Sequence, residues 1–181
     1  MLLSVLSFAQ NNQEKCGFDQ VLENQITKNP EFKNTLQKNE VALQKFMQQN
    51  KNYLLAEDEY VVPVVFHVVH LGENEGVGSN ISDAQIASGL QQLNDGWSNA
   101  NGSGVDIKVT FQLATKDPNC NNTSGIVRVD GRTVSNYENF GISTSGQGAD
   151  DASIKALSNW PNSSYYNIWV VTEIDGNNGG A

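Results

Sequence analysis

From Tyr60 to Leu71 the chain reads YVVPVVFHVVHL, dense in valine and long enough for a strand buried on both faces. Pro63 interrupts it once, which suits an edge or strand-start position. The loop GENEGVGSN follows, and then NISDAQIASGLQQLNDGWSN changes rhythm. Ser82 and Gln85 have the spacing of a capping box, and Ile81 and Ile86 that of a hydrophobic staple. Ile86, Leu90, Leu93 and Trp97 continue on one face at spacings of four, three and four. The pattern predicts a helix that packs on a sheet.

VDIKVTFQLA then alternates, with Val105, Ile107, Val109, Phe111 and Leu113 on one face and polar residues on the other, and predicts a half-buried strand. GIVRVDG predicts a shorter strand. DDASIKALSNW predicts a helix capped by Asp150 or Asp151 and ended by Pro161. YNIWVVTEI is a second dense apolar strand, and DGNNGGA is turn chemistry. The order β-α-β-β-α-β predicts an α/β or α+β domain, with helices packed on a mixed, twisted sheet.

The N-terminal third has another texture. Residues 12–52 are rich in Gln, Asn and Lys, and Phe32, Leu36, Leu43, Phe46 and Met47 form one narrow helical stripe, with Asn29-Pro30 as its start. A stripe so narrow cannot support a domain alone. YLLAEDE, residues 53–59, reads as a linker. MLLSVLSFAQ resembles the apolar core of a secretory signal with a small-residue cleavage site at Ala9 or Gln10, but without a basic leader, so an upstream start is expected. At the other end Ala181 falls inside a Gly-rich loop, where a domain does not ordinarily close, and a longer parent chain is expected.

Charge narrows the partners. Residues 11–51 hold six lysines against five carboxylates, so the remainder carries more than the whole net charge of −9. An acidic body repels phosphate backbones, which argues against nucleic acid. No apolar run reaches membrane-spanning length.

Chemistry is sparse. The two histidines, His67 and His70, are three apart on a strand, so they point to opposite faces and cannot chelate one ion together. His67 is expected in the core with a hydrogen-bonded ring, and His70 at a strand-end surface. There is no H-E-x-x-H, no paired C-x-x-C and no EF-hand loop; DGNNGG lacks the calcium spacing. GISTSG, around Ser143, misses the nucleophile elbow by one residue, and GQGADD follows no strand suited to a phosphate loop. Asn80, Asn101, Asn121, Asn122 and Asn162 stand in N-x-S/T sequons, which matter only in a glycosylating host. The two cysteines, Cys16 and Cys120, are either a disulfide pair or separate thiols. The residues by themselves contain no complete active site.

The ordered set of segments says more. VPVVFHVVHLGENEG, then NISDAQIASGLQQLNDGWSNAN, then VTFQLATKDPN with TSGIVRV, then SSYYNIWVV before a Gly-rich loop, resembles the opening of the catalytic domain in pappalysin-type metzincin zinc peptidases, over about residues 60–181. These are secreted enzymes related to pregnancy-associated plasma protein A, with bacterial, cytophagalysin-like relatives. The resemblance implies a signal peptide at 1–10, a small helical propeptide at 11–55, and the N-terminal part of a catalytic domain at 56–181. It implies a zinc cofactor held by a downstream H-E-x-x-H-x-x-G-x-x-H helix, whose three His bind the metal and whose Glu is the base on its water. Protein or peptide would be the substrate, and calcium is left open as a further ion. No catalytic residue lies in this chain, which is expected to be inert by itself. Some members block their zinc with a propeptide cysteine, and Cys16 in KCGFD stands where such a latency ligand would be. Others use a carboxylate, which makes Asp19 the fallback. Cys120 would then pair beyond Ala181. The rival readings are a secreted binding or adhesion module without catalysis, and a propeptide-like inhibitor acting in trans.

Overall fold

The structure is a computed structural model that describes residues 17–49, 59–100, 102, 104–143 and 146–174. Two compact units divide it, Met1–Ala56 and Glu57–Ala181.

In the first unit, α1 (Gly17–Lys28) and α2 (Pro30–Gln49) meet at Asn29. The expected start at Asn29-Pro30 is the start of α2, and α1 is a separate helix before it. Pro30 is pre-shaped for a first helical position and disfavours helical backbone at the residue before it, so the chain breaks there. No residue of α2 is buried. Leu36, Leu43, Phe46 and Met47 are all exposed, so the apolar stripe is narrow as well as one-sided. Residues 50–58, most of the expected linker, and residues 1–16, with the expected signal, lie outside the described residues.

The second unit is built on β1 (Tyr60–His70). It pairs in parallel with β2 (Val109–Leu113) along residues 60–64, with β3 (Ile126–Asp130) along 66–70, and with β4 (Tyr166–Val170) along 64–68. Tyr60 and Phe66 donate to Lys108 and Gly125, and Val64 accepts from Ala114. These three residues share one parity, so β2 and β3 lie end to end along one edge of β1 and β4 takes the other. Pro63, of the opposite parity, turns its missing donor to the side where β4 pairing begins only at Val64. The α+β layering is as expected, and every ladder between these strands is parallel.

Alternate residues of β1 feed two cores. Val64, Phe66 and Val68 pack with Phe111 and with Ile86 of α3 (Asp83–Trp97). Val69 packs on the other side with Tyr137 of α4 (Tyr137–Phe140), Ile142, Ala149, and Ile154 of α5 (Asp151–Ala156). The Ser82–Gln85 capping box is present in both directions.

Two expectations need correction. The alternating stretch is a strand only from Val109; Val105 is 79% exposed and Ile107 48%. Lys108 has φ 58°, and the Asp106 carboxylate accepts its N–H at 2.9 Å, a local turn that outcompetes extension. α5 is capped by Asp150 as expected, but its last helical residue is Ala156, well before Pro161. Ser158 and Trp160 find tertiary partners there, in His67 and Asn167, instead of continuing the helix.

Candidate functional site

Parallel strands deliver their carboxyl ends to one rim, where open α/β sheets tend to bind ligands. Here β1 and β4 end beside a cavity of about 430 Å³, lined among others by Leu71, Glu73, Glu138, Val170, Thr172 and Glu173.

Glu73 organises the rim. Its carboxylate accepts from Leu71 N–H at 2.7 Å, Ser79 N–H at 3.1 Å and the Ser79 hydroxyl at 2.9 Å. Burial pushes this carboxyl up, but the backbone donors and the Ser79 hydroxyl together outweigh it and hold the group at about 2. A group so lowered stabilises the fold above its ordinary value of 4.5, and that contribution is lost as pH falls from there towards 2. Asp130, held at about 2 chiefly by the side chain of Arg132, acts in the same window. The unfolding midpoint should therefore drop steeply below about pH 4.5, and Glu73→Gln should flatten that slope without abolishing it. An unchanged slope in the variant would assign the acid sensitivity elsewhere.

Arg128 ties the rim loop to α3 and β3. Its guanidinium donates to Asn80 Oδ1 at 2.6 Å, Ile81 O at 2.7 Å and Asp83 Oδ1 at 2.6 Å. Asn80, only 5% exposed, passes the constraint on through Nδ2 to Glu73 O at 2.8 Å. Gly125, just before β3, has φ 75°, and a Cβ there would meet the Ala114 backbone nitrogen at 2.8 Å. The Gly-Ile-x-Arg string of the sequence is thus a close strand approach followed by a clamp.

The fully buried Tyr137 donates to Val69 O at 2.8 Å and accepts from Thr172 N–H at 3.1 Å. Burial pushes its phenol up, so it stays neutral and serves as a brace between β1 and the segment after β4. Gly141, at φ 56°, leaves no room for a Cβ against Glu173 O, which lets Ile142 N–H donate to that carbonyl at 3.0 Å.

Of the candidate site residues, Cys16 lies outside the described residues, and Asp19 falls within α1. Cys120 is exposed and carries a free thiol. His67 has no solvent exposure and engages both ring nitrogens, with Ser158 Oγ at 2.6 Å and Asn167 Oδ1 at 2.8 Å. His70 Nδ1 accepts from Gly72 N–H at the strand end. Ser143 is half-buried beside Gly146, whose N–H its hydroxyl accepts. Among the described residues no group of three His, Cys, Asp or Glu side chains could hold a metal ion. The rim offers a shaped cavity lined in part by the carboxylates Glu73, Glu138 and Glu173. Sequence reasoning missed Glu73, Asn80, Arg128 and Tyr137. Glu73 sits in a stretch read as a loop, and nothing local marks the distant partners of Asn80, Arg128 and Tyr137.

Asn94, in the LN pair, is a further functional surprise. Its amide donates to Phe111 O at 2.9 Å and accepts from Phe111 N–H at 2.7 Å, capping the outer edge of β2 as a strand would. A planar side-chain amide carries a donor and an acceptor side by side, which matches the N–H and C=O of Phe111.

No family model matches the chain, and no curated protein does. Among solved structures it is similar to mirolysin in complex with compound 9, at 30% identity over 63% of this chain and 43% of that one, TM-score 0.44. It is similar to Tannerella forsythia mature mirolysin in complex with a cleaved peptide, at 31% identity over 63% and 43%, TM-score 0.43. A promirolysin mutant from Tannerella forsythia shares 28% identity over 70% of this chain and 42% of that one, TM-score 0.42. The chain spans less than half the length of these solved chains.

Proposed function

We propose that this chain forms the N-terminal region of a secreted, zymogen-type zinc metalloendopeptidase of the pappalysin kind, with the zinc ligands supplied by sequence downstream of Ala181. One observation carries the reading: the segments that bear the family resemblance fold, in their sequence order, into one parallel-sheet unit in which β1, β3 and β4 end at a common rim. The role of this region is to build the sheet and rim against which the metal-bearing helix would sit. No step of hydrolysis is carried by the residues described, so the region by itself is inert. No described helix is long and apolar enough to cross a membrane.

Residues 11–55 act in this proposal as the latency segment, with Cys16 as the ligand that occupies the open zinc position and Asp19 as the alternative. In the full-length protein, Cys16→Ala should raise peptidase activity before processing by at least about tenfold, since a thiolate at the open position excludes the catalytic water. Asp19→Ala should leave latency intact. The reverse pattern would move the role to Asp19, and a Cys16–Cys120 peptide in non-reducing mass spectrometry would eliminate the cysteine.

A further inference from the structure

His67 is a buried histidine that the proposed function does not use. It sits on β1 and touches two other parts of the chain: Ser158, in the turn after α5, and Asn167, on β4. Its ring stacks on Trp169 at 5.0 Å and meets Trp160 edge-on at 6.4 Å.

The hydrogen-bond polarity fixes the proton on one ring nitrogen. Asn167 Oδ1 also accepts from Trp160 N–H at 3.0 Å, while its Nδ2 donates to Trp160 O and Asn162 Oδ1. Oδ1 is therefore an acceptor, and His67 Nε2 must carry the proton that reaches it. Nδ1 is then the unprotonated nitrogen, and the Ser158 hydroxyl donates to it. A second proton on Nδ1 would turn the Ser158 hydroxyl from donor to acceptor and place a full positive charge on a side chain with no solvent exposure.

The surroundings also resist a charge. From β4 the ring meets Asn167 and Trp169, and from the turn it meets Ser158 and Trp160, with Tyr165 packed on Trp160. α5 contributes Lys155, 5.4 Å from the Trp169 centroid and paired with Asp151 at 2.7 Å. On β1 itself, His70 points to the other face. Both ring nitrogens are held by uncharged partners, and the cation nearest this stack would repel an imidazolium. The Trp169 face favours a cation, but it does not replace the lost water.

We propose that His67 is an acid-sensitive latch: neutral, it ties β1 to β4 and to the turn after α5, and its protonation releases that tie. Burial lowers its basicity, outweighing the Asn167 hydrogen bond that acts the other way. The unfolded chain takes up its proton near the ordinary value of 6.5, before the folded chain does. Stability therefore falls as pH drops through that value, and levels off below the folded one. This window opens above that of Glu73, at 6.5 rather than 4.5, and involves no metal.

The test is ring ¹⁵N NMR of this chain across pH, which is direct because it has only two histidines. His67 should show the neutral Nε2–H tautomer at pH 7 and titrate below the ordinary imidazole value of 6.5. Tryptophan fluorescence and amide exchange in residues 157–168 should change along the His67 curve. His67→Gln, which cannot titrate, should remove this component while keeping the acid loss below pH 4.5. A His67 midpoint at or above 6.5, or a His67 titration with no change in exchange or fluorescence, would overturn the latch. Should the glutamine variant not fold, Asn167→Asp supplies the check: a carboxylate at Nε2 should move the His67 midpoint upward, and an unmoved midpoint counts against the proposal.

Discussion

Phe111→Ala is expected to cost about 3 to 5 kcal/mol of folding stability, the range for emptying a buried aromatic site. Phe111 is 6% exposed and joins Val64, Phe66, Val68 and Ile86 in the core beneath α3. Its ring takes Trp97 edge-on at 5.0 Å and Tyr166 at 5.9 Å, so one side chain joins α3, β2 and β4. The neighbouring strands are fixed by their ladders and cannot collapse into the space, which favours the upper part of the range. Urea unfolding followed by far-UV circular dichroism would measure it. A loss below about 1.5 kcal/mol would mean that the α3–sheet interface repacks freely, contrary to the close packing assigned to it.

Arg128→Ala comes next, at about 2 to 4 kcal/mol. Removing the guanidinium leaves Asn80 Oδ1 and Ile81 O without their donor, and the first is nearly sealed from water. The ion pair with Asp83, which is 61% exposed on its side chain, adds little by itself. Most of the loss therefore comes from stranded acceptors. Arg128→Lys should recover less than half, because one ammonium cannot reproduce a fork that reaches three acceptors. Amide exchange would speed up in residues 71–81 in either variant, since Asn80 also holds Glu73 O. Full recovery by lysine would show that charge alone, and not the fork, secures the loop.

The contrast between these two sites shows what was legible in the sequence. The core around Phe111 could be read because its members recur at helix and strand periods: Ile86, Leu90 and Leu93 on α3, and Val109, Phe111 and Leu113 on β2. The Ser82–Gln85 box was legible for the same reason, since its two partners are three residues apart. The burial of His67 followed from the apolar run around it, although its partners Ser158 and Asn167 did not. Arg128 reaches Asn80 across 48 positions, and no local rhythm encodes that pairing. The start of β2 was misplaced because Val105 and Ile107 keep the alternation while Asp106 and Lys108 form a turn, a case where side-chain chemistry overrides period. The rim joins such long-range polar contacts to bonds within an aperiodic loop, Glu73 with Leu71 and Ser79, which is why it was the least visible part of the chain.

The proposed function stands or falls on the metal. Expressing the whole reading frame that contains this chain, and measuring zinc per polypeptide together with hydrolysis of an internally quenched peptide, tests it most directly. The account predicts an in-frame H-E-x-x-H downstream of Ala181, about one zinc per polypeptide, and peptide hydrolysis abolished by chelation. A frame that closes without that motif, with a product that holds no zinc and cleaves no peptide, would contradict it and leave a binding module.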